Sequence, residues 1–167
     1  MTKLVVFSHY NGEVREIQAI DTYGAVKIAV DFIMGKWFLA IANKFNYYDP
    51  ELDIMRYSAV YTWSMQQNQF VRMRDLETDR ATGVTFVTVD DFTNFVAISE
   101  YGDSTTSEVT IYKFNQEVYN FDAYQTLHIE WEVTSVRSFA LDDSVYLTIT
   151  IPKEGIRFYR HQFVEVR

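Results

Sequence analysis

Residues 38–43 read FLAIAN, and nearly the same strand returns twice, as FVAISE at 95–100 and YLTITI at 146–151. Alternate residues of a strand face opposite sides. In these three stretches Leu39 and Ile41, Val96 and Ile98, and Leu147 and Ile149 form one flank, which is always bulky. The other flank holds Ala40 and Ala42, Ala97 and Ser99, and Thr148 and Thr150, all small. A strand with one wet face alternates apolar with charged residues. A strand that is large on one side and small on the other is suited to burial between two sheets that interdigitate.

Working outward, Phe38 aligns with Phe95 and Tyr146 at intervals of 57 and 51 residues. A second landmark aligns Phe7 with Tyr61, Tyr112 and Tyr159, and a third aligns EVREIQAI (13–20) with QFVRMRDL (69–76) and NFDAYQTL (120–127). Landmarks recurring in one order at about 50 residues mark a repeat architecture. Each unit reads as four strands; in the first full unit they are AVKIAVDF, WFLAIAN, SAVYTW and QFVRMRDL. IMGK, DDFTN and DDSV fall at corresponding turns, where Gly, Asp and Asn are favoured. Four strands per unit at this period fit propeller blades, and the 3.6-residue period of helical repeats is missing. The expected fold is therefore all-β. It is a β-propeller-like tandem of antiparallel four-stranded sheets, with a half unit at 4–20 and units at about 24–76, 82–127 and 133–166. One domain over residues 1–167 holds about three and a half blades. The half unit leaves an open sheet edge, which favours pairing with another chain.

Composition narrows the function classes. The chain has 167 residues, of which 48% are hydrophobic, including 13 Phe, 12 Tyr and 3 Trp, so a large core is expected. A net charge of -8 opposes binding to phosphate backbones and anionic lipid surfaces, so neither nucleic acid nor membrane insertion is expected. Cysteine is absent, which excludes disulfides and thiolate chemistry. No apolar run approaches the roughly 20 residues that cross a bilayer. The stretch MTKLVVFSHYN lacks the apolar segment of a signal peptide, so secretion would require a leader outside it.

Chemistry-bearing motifs are sparse. His9, His128 and His161 are far apart, and no HExxH is present, so no metal site is expected. Asp90–Asp91 and Asp142–Asp143 are paired carboxylates at equivalent turns, where Asp bonds the local backbone. No P-loop, GxSxG or GxGxxG occurs, so neither a catalytic residue nor a cofactor is expected and the chain reads as a non-enzyme. None of the seven Asn residues begins a glycosylation sequon. Trp37 and Trp63 lie within repeat strands and are expected in the core. Trp131, in HIEWEV, lies outside the matched strands and is the tryptophan expected to be exposed.

The connections between second and third strands are unequal: KFNYYDPELDIMRY at 44–57, EYGDSTTSE at 100–108 and PKEG at 152–155. The first carries Tyr47, Tyr48, Leu52, Ile54 and Met55 among acids, a composition suited to partner contact. With Trp131 these form the candidate partner-binding set, and folding back over the blade is the competing reading. SAVYTW at 58–63, YQTLHIEW at 124–131 and VRSFALDDSVYLTIT at 136–150, in this order, resemble the epilepsy-associated (EAR, or epitempin) repeat. The resemblance covers about residues 4–166. It implies a β-propeller, usually of seven blades, that works as an extracellular, secreted module of protein recognition and cell adhesion. A protein partner such as a cell-surface receptor follows from it. The chain departs from the family pattern in having half the usual units, and in His9 and His161 standing where Trp63 or Phe114 stand elsewhere. Two other readings stay open: a lectin-like protein with aromatic pockets, and an assembly subunit completed by homo-oligomerisation.

Overall fold

The structure is a computed structural model that describes residues 2–45, 47–49, 54–102 and 105–161, with the backbone alone at 47, 49 and 54–56. All regular structure among them is β. β1 (Thr2–Tyr10) and β2 (Glu13–Thr22) form a hairpin. The first sheet joins β3 (Ala25–Ile33), β4 (Lys36–Asn43), β7 (Ser58–Ser64) and β8 (Gln69–Leu76). Between β4 and β7 stands a separate small hairpin, β5 (Tyr47–Asp49) with β6 (Ile54–Arg56). The second sheet joins β9 (Ala81–Thr88), β10 (Asn94–Tyr101), β11 (Ser107–Asn115) and β12 (Asn120–Ile129). The third joins β13 (Ser135–Leu141), β14 (Ser144–Ile151) and β15 (Gly155–Arg160). All ladders are antiparallel, and the sheets follow chain order apart from the inserted hairpin. The fold is thus an all-β, propeller-like tandem, a half unit followed by three.

Turn chemistry produces the meander. Asn11–Gly12 and Met34–Gly35 have φ of 51° and 81°, and 49° and 78°. Left-handed pairs of this kind close two-residue hairpins in the sense that matches strand twist. Asn68 and Tyr119 have φ of 51° directly before β8 and β12, and Asn11 has the same value just ahead of β2.

Register exposes the repeat more sharply than sequence does. Leu39 pairs with Tyr61, Val96 with Tyr112 and Leu147 with Tyr159, so the landmark aromatic always lies opposite the same position. A break in register precedes it at Val60/Tyr61, at Ile111/Tyr112 and, in the half unit, at Val6/Phe7. One extra residue on the following strand bends each outer ladder at the same place, as β-bulges do.

The bulky and small flanks point in constant directions along the stack. Leu39 and Ile41 meet Leu4, Val6 and Ile20 of the β1–β2 hairpin. Phe38, Ala40 and Ala42 on the opposite flank meet Val84, Phe86, Val96 and Ile98 of the second sheet. Phe95 and Ala97 of that sheet meet Val136, Leu147 and Ile149 of the third. The bulky flank is therefore the leading one, facing the preceding unit, and the small flank trails. Burying a Phe or Leu in these layers stabilises by about 1.5–3 kcal/mol relative to exposure. Gly83 on β9 lies close against the third sheet, where a Cβ would stand 3.1 Å from the Val136 nitrogen.

Three expectations need correction or bounding. Residues 44–57 are not a plain loop, because β5 and β6 pair within them. The third sheet shows three strands, and the position of a fourth falls on 162–167, outside the described residues. Trp37 is 50% exposed and not in the core. It sits at the start of β4, opposite Phe32 on β3, and the β1–β2 hairpin supplies only two strands to cover that flank.

Candidate functional site

In an antiparallel meander, the connections between second and third strands share an edge with the links between sheets. The structure ties the two sets together in every unit. Lys44 N–H donates to the Gly24 carbonyl at 2.9 Å, and Tyr101 N–H donates to the Arg80 carbonyl at 2.9 Å. In the third unit the ammonium of Lys153 stands 4.2 Å from the Trp131 ring centre, a cation–π contact. The β5–β6 hairpin, the 100–108 connection and Trp131 therefore lie on one rim.

The base of the β5–β6 hairpin is clamped by buried polar groups. Asn43 Oδ1 accepts from Tyr23 N–H at 3.1 Å, and its Nδ2 donates to the Tyr57 carbonyl at 3.0 Å. Asn43 N–H donates to Ser58 Oγ at 2.9 Å, and Ser58 Oγ lies 2.7 Å from Thr78 Oγ1. Glu100 occupies the equivalent position in the second unit and accepts from Asp79 N–H at 2.9 Å. Burial pushes the Glu100 carboxyl above the ordinary carboxylate range, against that hydrogen bond, and nearby Glu108 adds to the rise. The third unit has Ile151 there and needs no clamp, because Glu154 N–H closes a tight turn onto the Ile151 carbonyl at 3.0 Å.

Of the candidate residues, Tyr48 is 51% exposed on β5. Tyr47, Ile54 and Met55 belong to β5 and β6 by backbone, their side chains lying outside the described residues, as does Leu52 entirely. Trp131 is half-buried, one side packed on the core between second and third sheets and the other under Lys153. Phe45, which sequence reasoning passed over, is 56% exposed on the same rim, its ring 3.0 Å from where a Cβ on Gly24 would stand. The contrary rim also shows apolar tips: Met65 is 86% exposed, Phe92 69% and Val118 63%. Their signal in the sequence is an apolar residue directly beside Gln, Asp or Glu in a turn.

The paired acids are turn residues. Asp90 Oδ1 accepts from Phe92 N–H at 2.7 Å and Thr93 N–H at 2.6 Å, and the first of these bonds leads in holding its carboxyl below the ordinary range. Near the end of β15, a cavity of about 220 Å³ opens between the second and third sheets, lined by Phe95, Tyr124, Leu127, Tyr159 and His161 among others. Burial, and then Lys113, lower the His161 pKa, with Asp90 opposing them.

No protein-family model matches the chain. Over 116 residues, 65% of its length, it is 29% identical to the human thrombospondin-type laminin G domain and EAR repeat-containing protein. The chain spans 17% of that relative's length. The repeat pattern and the stacked sheets thus occur in a chain similar, in part and distantly, to a protein with EAR repeats.

Proposed function

We propose that this chain is a non-enzymatic module of protein recognition that binds a partner protein, extracellularly, through the rim bearing the β5–β6 hairpin. The observation that carries the reading is the hairpin itself. Among the described residues it is the one of these connections that forms paired strands of its own, its base is clamped by Asn43, Ser58 and Thr78, and Tyr48 and Phe45 are exposed there. Exposed aromatics on a rigid base lose little freedom on binding and bring large contact area. The relative whose name includes EAR repeats supports an extracellular setting.

The test is flow-cytometric binding of the fluorescent, tetramerised chain to a panel of human cells. The wild type is expected to stain some of them, and Phe45→Ala/Tyr48→Ala to lose most of that staining with an unchanged melting temperature. Staining unaffected by the double variant, or absent from all cells, overturns the proposal. Staining abolished by enzymatic removal of cell-surface glycans replaces it with the lectin reading.

A further inference from the structure

The second sheet is covered on both flanks, but the first and the third, toward the ends of the stack, are not. At the tail, the trailing flank of the third sheet is apolar and open. Leu141 is 57% exposed, Ile156 57%, Phe158 62% and Phe139 39%. Pairing places Phe139 opposite Tyr146, with the rings stacked at 5.2 Å, and Phe158 opposite Thr148, so all lie on one face. This is the face that, in the second sheet, Phe95 and Ala97 present to a following unit.

At the head, the leading flank of the first sheet is only half covered. The β1–β2 hairpin reaches Leu39, Ile41, Ala59 and Tyr61 but leaves the β3 stripe open, with Ile28 44%, Val30 53% and Phe32 52% exposed. Val84 and Phe86 hold the equivalent places in the second sheet, and both are buried against the first. The outer face of the hairpin, one layer further from the first sheet, adds a second apolar patch with Phe7 (59% exposed) and Val14 (65%).

The charges differ in sign. Arg137 and Arg160 lie on the tail face, opposite Thr148 and Tyr146. On the head, Asp21 is paired with Lys3 at 3.9 Å, and Glu16, opposite Phe7, leaves one negative charge over. Two apolar faces of one chain, each equivalent to a face that is buried inside the stack and carrying opposite charge, fit each other.

We infer that the tail face of one copy docks on the head face of a second copy, continuing the stacking of sheets from chain to chain. The contact is heterologous, so two copies close when both ends engage and longer assemblies form when they do not. The inference is independent of the recognition rim, which lies at the edges of the sheets and not on their flanks.

Light scattering of the full chain tests it, with a tail variant, Leu141→Glu/Phe158→Glu, and a head variant, Phe7→Lys/Val30→Lys. All four residues are exposed, and circular dichroism and melting checks that each variant folds. The wild type is expected at twice the chain mass or more, and each variant alone at the chain mass. An equimolar mixture of the two variants, which pairs one intact head with one intact tail, is expected to return to twice the chain mass. Wild type at the chain mass at all concentrations overturns the inference, as does one folded variant that still assembles alone, or a mixture that stays at the chain mass. Should either variant fail to fold, the milder pair Arg137→Glu and Glu16→Arg is read in the same way.

Discussion

The two interior interfaces are formed by equivalent strands and filled differently. Between first and second sheets the core is aromatic: Phe38 meets Phe114 at 5.6 Å and Phe121 at 5.9 Å with rings at 89°. Between second and third sheets the leading flank is aliphatic, with Leu147, Ile149 and Ile151 buried against Ala97 and Val109. Gly83 there lets the sheets come close. In the first interface Ala40 and Ala42 leave space that rings fill. In the second, Ala97 faces branched aliphatics. One pattern of large against small thus tolerates two fillings, rings in one interface and branched aliphatics in the other.

That contrast can be broken most forcefully at Phe38. Phe38→Ala removes a ring touching several others and should cost about 3–5 kcal/mol in urea unfolding. Combined with Phe121→Ala it should be non-additive, since the rings touch, while combined with a change at Ile149 it should be additive. Equal coupling to both would mean that the two interfaces are one core. Asn43→Ala comes next, at about 1–3 kcal/mol, because it strands the Tyr23 N–H and the Tyr57 carbonyl at the base of the β5–β6 hairpin. Hydrogen exchange should quicken at residues 44–57 and stay unchanged in the third sheet.

Ile149→Val sharpens the comparison at smaller amplitude, about 0.5–1.5 kcal/mol, as expected of one methylene in a packed aliphatic layer. The smallest effect concerns pH. His161 contacts Phe95 beside the second interface, and its pKa lies below the ordinary 6.5 chiefly through burial. Its uncharged form is favoured in the fold, so its contribution is complete above the ordinary value and lost as pH falls below it toward the folded value. Glu100 acts in the opposite sense, its raised pKa favouring the folded state as it protonates. His161→Phe should therefore remove part of the loss of melting temperature between pH 7.5 and about 5.5. An unchanged pH profile would exclude His161 as a source of that loss.

The sequence made legible what depends on the chain's own alternation. The bulky and small flanks of β4, β10 and β14, the shared position of Phe7, Tyr61, Tyr112 and Tyr159, and the turn role of Asp90 are all readable from residue order. What was not legible depends on neighbours. Trp37 and the β3 stripe resemble core residues, and in a sheet followed on both sides they would be; only the half unit before them leaves them in solvent. The β5–β6 hairpin is three residues a side, too short for alternation to stand out among YYDPELDIM. The rim was harder still. Trp131 and Lys153 are brought together by meander geometry across 22 positions, and neither residue signals the other in sequence.

Stacked sheets with a direction, bulky flank toward the preceding unit and small flank toward the next, are the claim on which the remainder rests. It is tested most directly by placing Leu at three equivalent sites, Ala40, Ala97 and Thr148, and measuring unfolding free energy by fluorescence at high dilution, where chains are separate. The first two sites face a following sheet, so Ala40→Leu and Ala97→Leu are each expected to cost about 1–3 kcal/mol through overpacking. Among the described residues Thr148 faces no following sheet, so Thr148→Leu is expected within about 0.5 kcal/mol of wild type. Equal cost at all three sites, or none at Ala40 and Ala97, would contradict the stack.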